Sequence, residues 1–121
     1  MKIHESAENY LETILILKNR LGMVRSIDIA GELEYSKPSV SVAMKNLRES
    51  GHILMDSEGH ITLTESGQKV AETMYERHQF LSGWLISLGV DAETAVQDAC
   101  RIEHVISEQS FEKIREHVSK Q

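Results

Sequence analysis

The stretch SKPSVSVAMKN, residues 36–46, combines the start of a helix with a single apolar face. Ser36 can cap this helix, and Pro38 falls within its first turn, where a missing N–H is harmless. Three apolar residues repeat at i, i+4 and i+7 and are expected to face a core: Val40, Met44 and Leu47. The stretch therefore predicts a core-packed helix whose remaining surface is small, polar and basic.

The segments around this helix form an ordered set of elements. Upstream, the pattern predicts a helix over residues 5–21 and a short helix over 27–33 that Ser26 caps. Downstream, the apolar runs 53–55 and 61–63 flank a turn-rich segment, which predicts a β-hairpin. The order helix, short helix, helix and hairpin predicts a winged helix-turn-helix. The alternative is a generic small α+β domain with an incidental hairpin.

The rest of the chain is predicted to be helical. Thr64 can cap a long helix that runs to about Leu88. Asp91 can open a fifth helix to about Ser107, and residues 108–119 can form a sixth. The predicted fold is therefore mainly α with a small β-hairpin.

Bulk properties narrow the class of protein. The 121 residues, 40% hydrophobic and 26% charged, suffice for a winged helix-turn-helix over residues 1–63 and a helical domain over residues 64–121. No run approaches about 18 consecutive apolar residues, so no membrane span is expected. The first residues lack the apolar core of a signal peptide, and a single cysteine cannot form an intramolecular disulfide. These features predict a cytoplasmic protein.

The third predicted helix differs in charge from the whole chain. The net charge is −6, but residues 37–50 carry three basic residues against one acidic residue, a local charge of +2. In a helix-turn-helix the second helix of the motif enters the major groove, so this segment is the expected DNA-reading element. Hydroxyl and basic side chains suit phosphates, and an exposed valine suits a thymine methyl. For each residue the alternative is a solvated polar face. The candidate contacts are Arg25, Ser36, Lys37, Pro38, Ser39, Ser41, Val42, Lys45 and Arg48.

The only cysteine of the chain lies near a glutamate and a histidine in ACRIEHVIS, residues 99–107. At about 3.6 residues per turn, Cys100, Glu103 and His104 share one face of the predicted fifth helix. Thiolate, carboxylate and imidazole groups on one turn can converge on a single cation. The alternative is an ordinary helix that happens to carry these three side chains.

A complete metal shell needs further ligands from other helices. The first helix offers Asn9 and Glu12, which are spaced i, i+3 and so lie on one side. The long helix offers His78 at a core-like position. A lone histidine in such a position is more often a packed, hydrogen-bonded core residue, which is the alternative for His78.

Several stretches together resemble the diphtheria toxin repressor and manganese transport regulator family. They span nearly the whole chain: ENYLETI at 8–14, SKPSVSVAMKNL at 36–47, ITLTESGQKVA at 61–71, Arg77-His78 and ACRIEHVIS at 99–107. The resemblance implies a winged helix-turn-helix followed by a helical metal-binding and dimerisation region. It also implies a regulator that binds double-stranded operator DNA as a homodimer when loaded with Fe²⁺ or Mn²⁺.

The resemblance implies a ligand set that mixes the two branches of the family. Glu103 and His104 match ligands of both branches, and His78 matches a ligand histidine. Cys100 resembles the iron branch, whereas Glu12 resembles the manganese branch.

Three positions depart from the family pattern. Asn9, a peripheral candidate, stands where aspartate or methionine is expected, Ser82 where glutamate is expected, and Val96 where histidine is expected. Carboxylate and carbonyl ligands suit Mn²⁺ and Fe²⁺, whereas a thiolate favours Fe²⁺, Co²⁺ or Zn²⁺. The expected effector is Fe²⁺ or Mn²⁺, with Zn²⁺ or Co²⁺ as binders in vitro. Longer family members add an SH3-like domain, for which these 121 residues leave no room.

The expected function is that of a metal-dependent repressor of metal-uptake genes, which is not an enzyme. Apolar residues near the end of the long helix are expected to supply the dimer interface, with the core of the monomer as the alternative: Trp84, Leu85, Ile86 and Leu88. No membrane or small organic substrate is expected as a partner. The alternatives are a metal-independent regulator, a protein-binding winged helix and a metal-dependent hydrolase, the last lacking HExxH and nucleophile-elbow motifs.

Overall fold

Three helices and a hairpin form the first part of the protein. In the computed structural model, which describes residues 5–120, these helices are α1 (Glu5–Leu21), α2 (Ser26–Leu33) and α3 (Lys37–Glu49). The strands β1 (Ile53–Met55) and β2 (Ile61–Leu63) follow. This order is that of a winged helix-turn-helix, so the predicted arrangement is confirmed.

The hairpin is an antiparallel pair whose turn is organised by one carboxylate. Ile53 pairs with Leu63, and Met55 pairs with Ile61. Asp56 Oδ1 accepts hydrogen bonds from the main-chain N–H groups of two residues in the turn, both at 2.9 Å. On the outer side, the N–H of Ile61 donates to Val24 O at 2.7 Å, which ties the segment before α2 to the hairpin.

The first core lies between the helices and the hairpin. The predicted inner face of α3 is buried, since Val40, Met44 and Leu47 are at most 4% exposed. They belong to one cluster with apolar residues of α1, α2, both strands and the start of α4, among them Leu11, Ile14, Ile29, Ile53, Ile61 and Ala71. Packing this face inward leaves the polar face of α3 exposed.

Helix caps follow the sequence at all predicted positions but one. Oxygens of Ser36, Thr64 and Asp91 each accept the N–H of the residue three positions later, at 3.2–3.3 Å. The prediction for Ser26 was wrong, because Ser26 is the first residue of α2 and Arg25 is its N-cap. Asp28 explains the difference: its carboxylate accepts the N–H of Arg25 at 2.9 Å from inside the first turn.

Three helices form the second part: α4 (Glu65–Ser87), α5 (Ala92–Val105) and α6 (Glu108–Ser119). The prediction that α5 runs to about Ser107 was two residues too long. Ile106 has extended backbone angles, φ −74° and ψ 139°. Ser107 instead caps α6, and its Oγ accepts the N–H of Ser110 at 3.1 Å.

A second apolar core joins α4, α5 and α6. Leu81, Ala99 and Phe111 are buried at its centre, and four partly buried apolar residues pack against them: Phe80, Trp84, Ile102 and Ile106. Trp84 is partly buried and packs against this core, so its predicted place in a dimer interface stays a prediction. Ile86 and Leu88 are 46% and 64% exposed, so these two predicted interface residues remain on the surface.

Two compact units divide the chain within α4, at Met1–Glu72 and Thr73–Gln121. The domain boundary predicted between residues 63 and 64 precedes α4 and stays a prediction. Within residues 5–120, no helix is long and apolar enough to cross a membrane.

Candidate metal centre and nucleic-acid interface

A buried carboxylate lies between two histidines in the second unit. Glu103, on α5, is fully buried, and its Oε2 lies 3.0 Å from Nδ1 of His78 on α4. Its Oε1 lies 3.2 Å from Nε2 of His104, whose side chain is 4% exposed. A buried carboxylate is costly unless charged or hydrogen-bonding groups face it, and the hydrogen bond with His78 meets part of this need.

The turn predicted to bind metal brings its three donor groups together. Cys100, Glu103 and His104 each present a ligand atom, and the three atoms lie within 4.8 Å of one another. This convergence arises because residues at i, i+3 and i+4 share one face of α5. A thiol, a carboxylate and an imidazole suit a divalent transition metal, so the residues present fit such an ion.

The remaining predicted ligands lie on two other helices, α4 and α1. His78 is 22% exposed at its side chain and lies beside Glu103 within the second unit. Glu12 is 4% exposed and Asn9 is partly buried, both on α1 of the first unit. Their place in the ligand set stays a prediction that the family pattern carries.

Two of the residues that depart from the family pattern, Ser82 and Val96, lie on α4 and α5. Ser82 is buried, and its hydroxyl donates to the main-chain oxygen of His78 at 2.8 Å. Val96 is 45% exposed. Neither side chain is a metal ligand of the usual kind, since one is engaged with the helix backbone and the other is apolar.

The predicted DNA-contacting residues are all exposed. They lie at the N-cap of α2, at the N-cap of α3 and along the outer face of α3: Arg25, Ser36, Lys37, Pro38, Ser39, Ser41, Val42, Lys45 and Arg48. Val42 is 60% exposed, whereas Val40 two residues earlier is completely buried. The outer face of α3 therefore offers one apolar group among hydroxyl and basic groups.

The N-terminus of α3 is held by its serines. Ser36 Oγ accepts the N–H of Ser39 at 3.3 Å, and the Ser36 hydroxyl donates to Ser39 Oγ at 2.8 Å. No acidic residue lies in the first turn of α3. This end of the helix therefore presents hydroxyl groups and the positive end of the helix dipole to an approaching phosphate.

Tyr35, which the sequence pattern did not select, is an exposed aromatic residue beside this end. It is 46% exposed and packs edge-on against Tyr10 of α1, with ring centroids 5.9 Å apart. Burial, and secondarily the neighbouring Tyr35, raises the pKa of the Tyr10 phenol above its ordinary value of 10.0. A large aromatic residue in the turn between α2 and α3 was the signal available in the sequence.

Comparison with known proteins accounts for both units. Residues 2–61 match the family model of the iron-dependent repressor N-terminal DNA-binding domain. Residues 64–120 match that of the iron-dependent repressor metal-binding and dimerisation domain.

Individual relatives agree with this assignment. The transcriptional regulator MntR of Escherichia coli O6:H1 is 36% identical over 111 residues, which cover 92% of this chain and 72% of that protein. The manganese regulator SloR has a similar structure, with a TM-score of 0.82 and 26% identity over 100% of this chain and 56% of that chain. A manganese-dependent transcriptional repressor in complex with manganese has a TM-score of 0.85 and 26% identity, covering 93% of this chain and 52% of that chain.

This chain thus spans about half the length of these solved structures. The exposed face of α3 and the donor cluster of Cys100, Glu103 and His104 agree with the two matched domains. The chain therefore belongs to the iron-dependent repressor family, whose members are transcriptional regulators and not enzymes.

Proposed function

We propose that this protein is a metal-dependent repressor that binds operator DNA as a homodimer when loaded with Fe²⁺ or Mn²⁺. The observation that carries the proposal is the convergence of Cys100, Glu103 and His104 within 4.8 Å. It occurs in a chain whose other unit exposes the polar face of α3. The protein is proposed to act in the cytoplasm. Genes for metal uptake are the proposed targets, because a repressor activated by a metal would then limit the further uptake of that metal.

The proposed metal ligands come first from the second unit. Cys100, Glu103, His104 and His78 offer the thiol, carboxylate and imidazole donors. We retain Glu12 and Asn9 on the family resemblance alone. A bound cation would supply positive charge to the buried Glu103 carboxylate, which lies between two imidazoles.

Metal identity depends on Cys100. Both solved relatives described above are named for manganese, whereas a thiolate ligand favours Fe²⁺, Co²⁺ or Zn²⁺ over Mn²⁺. Zn²⁺ is expected to bind tightly in vitro whatever the physiological effector, because affinity follows the Irving–Williams order. The affinities for Fe²⁺ and Mn²⁺ should therefore be compared directly, in the wild-type protein and in Cys100→Asp.

The proposed DNA interface is the outer face of α3 together with Arg25. The hydroxyl groups of Ser36 and Ser39 suit phosphates, as do the cations of Lys45 and Arg48. The side chain of Val42 suits contact with a thymine methyl group. Metal regulates this interface only if it binds the DNA-competent state more tightly than the incompetent one. The exposed side chains of Ile86 and Leu88 are the proposed centre of the dimer contact.

The central test compares DNA affinity with and without metal under reducing conditions. The probe is a duplex selected from a random-sequence pool by the metal-loaded protein, and binding is followed by fluorescence anisotropy. Fe²⁺ or Mn²⁺ should raise the affinity by about 5- to 150-fold, the usual size of such coupling. Equal affinity in both conditions would leave a metal-independent regulator and contradict the proposal.

Two variants separate the metal and DNA functions. His104→Ala should abolish the metal response while far-UV circular dichroism stays that of the wild type. Lys45→Ala should weaken DNA binding without changing metal affinity, and should lower the slope of log affinity against log salt by about one. A Lys45→Ala protein with the wild-type salt slope would remove this lysine from the interface.

A further inference from the structure

Arg77, which lies beside His78 on α4, makes two hydrogen bonds to the end of α5. Its Nη1 group donates to the main-chain oxygens of Glu103 at 3.1 Å and of Ile106 at 3.2 Å. The last carbonyls of a helix have no partner within the helix, so an arginine at this end both satisfies them and opposes the negative end of the dipole. Arg77 therefore holds the C-terminal turn of α5 against α4.

The same glutamate is also held through its side chain. His78 Nδ1 lies 3.0 Å from Glu103 Oε2, while Arg77 contacts the main-chain oxygen of Glu103. Consecutive residues of α4 thus hold one buried residue of α5 by its backbone and by its carboxylate. Because Cys100 and His104 lie on the same turn of α5, this pair of contacts also restricts where their donor atoms lie.

We propose that Arg77 is a positioning residue of the metal centre, acting through the end of α5 and not as a ligand. The inference rests on the proposed metal binding. Metal sites tolerate only very small errors in ligand position, and removing a group that orients a ligand commonly lowers metal affinity about 10- to 100-fold. Arg77 is suited to this role because both of its hydrogen bonds go to backbone oxygens, whereas the proposed ligand atoms belong to side chains.

A purely structural role for Arg77 would come from its contact with Phe111 in the second core and not from its hydrogen bonds to α5. Its guanidinium carbon lies 5.3 Å from the centre of the Phe111 ring in the second core. Arg115 lies over the same ring, also at 5.3 Å, but its hydrogen bonds go to Glu112 and Glu76 and not to α5. Arg115 is therefore a matched control, since both arginines contact Phe111 and only Arg77 holds the turn that bears the ligands.

The experiment titrates wild type, Arg77→Gln and Arg115→Gln with Co²⁺ and with Mn²⁺ in reducing buffer. Co²⁺ bound to a thiolate gives a charge-transfer absorption that reports on Cys100, and thermal unfolding of the metal-free proteins reports on the fold. Arg77→Gln should lose about 10- to 100-fold in metal affinity and change the charge-transfer band. Arg115→Gln should keep the wild-type metal affinity and charge-transfer band, even if its thermal stability falls as much as that of Arg77→Gln.

Three outcomes would overturn the inference or its basis. Wild-type affinity and spectrum in Arg77→Gln, or equal losses in both variants, would show that Arg77 acts only on the fold. Failure of the wild-type protein to bind either metal would instead refute the proposed function itself. If Arg77→Gln does not fold, Arg77→Met takes its place, because it retains an aliphatic side chain and removes the donors. Wild-type affinity and spectrum in Arg77→Met, or a loss equal to that of Arg115→Gln, would then overturn the inference.

Discussion

Glu34 is the only non-glycine residue with a positive φ among residues 5–120, at φ 58° and ψ 37°. It is the C-cap of α2, and its N–H donates to Ala30 O. Left-handed backbone costs a residue with a Cβ roughly 1–2 kcal/mol, whereas glycine adopts it freely but loses more conformational entropy on folding. Glu34 therefore stores strain in the turn that leads into α3.

Glu34→Gly should raise the free energy of unfolding by up to about 1 kcal/mol, because relief of strain exceeds the added entropy cost. Glu34→Ala is the control, since it removes the same negative charge but keeps a Cβ. Urea denaturation measures both variants. An equal gain in both would show that charge, and not backbone strain, limits stability here.

Gly67, near the start of α4, lies against the backbone of the hairpin. A Cβ at this position would collide with the main-chain oxygen of His52. Backbone atoms cannot move aside as a flexible side chain can, so the first core would have to open locally.

Gly67→Ala should therefore lower the free energy of unfolding by about 1–3 kcal/mol, the usual cost of overpacking. Gly83→Ala on the same helix is the control, because a Cβ there meets nothing within 4 Å. Its higher helix propensity should stabilise α4 by up to about 1 kcal/mol. Urea denaturation of both variants measures the two changes in the free energy of unfolding, which should have opposite signs. A stabilised Gly67→Ala protein would contradict the close approach of Gly67 to His52.

At the scale of elements, the hairpin turn depends on one carboxylate. The main-chain N–H of His60, together with that of Glu58, donates to Asp56 and holds the pKa of this carboxyl below its ordinary value of 3.8. The ring of His60 lies 3.2 Å from the other carboxylate oxygen. These contacts stabilise the ionised form of Asp56 only in the folded hairpin.

Because the folded-state pKa is lowered, the stability that Asp56 contributes is fully present above pH 3.8 and is lost as the pH falls through the folded-state value. Asp56→Ala should thus be less stable than wild type at neutral pH, and the difference should shrink in acid. Chemical denaturation over a series of pH values measures it. Ser57→Ala in the same turn should show no such pH dependence, and a pH-independent difference for Asp56→Ala would contradict the assignment.

At the scale of the whole molecule, metal binding should stabilise the fold. An ion that binds only the folded protein raises the free energy of unfolding by about 2.7 kcal/mol when free metal exceeds Kd about 100-fold. Calorimetry with Mn²⁺ should therefore show a higher Tm that a chelator reverses. His104→Ala should lose most of this shift, and a wild-type shift in that variant would place the ion elsewhere.

The sequence by itself determined what depends on neighbours along the chain. Helix caps at Ser36, Thr64 and Asp91, the inner face of α3 and the two strands follow from short-range hydrogen bonds and from the periods of helix and strand. Cys100 and His104 share a face with Glu103 for the same reason.

Only the tertiary structure decided which side chains from distant elements meet. It packed Trp84 against the second core, brought His78 to the carboxylate of Glu103, and placed Arg77 against the end of α5. Such contacts depend on how helices pack, which side-chain periodicity along one helix does not specify. The local pattern therefore predicted the metal-capable turn, whereas packing revealed the arginine that holds it.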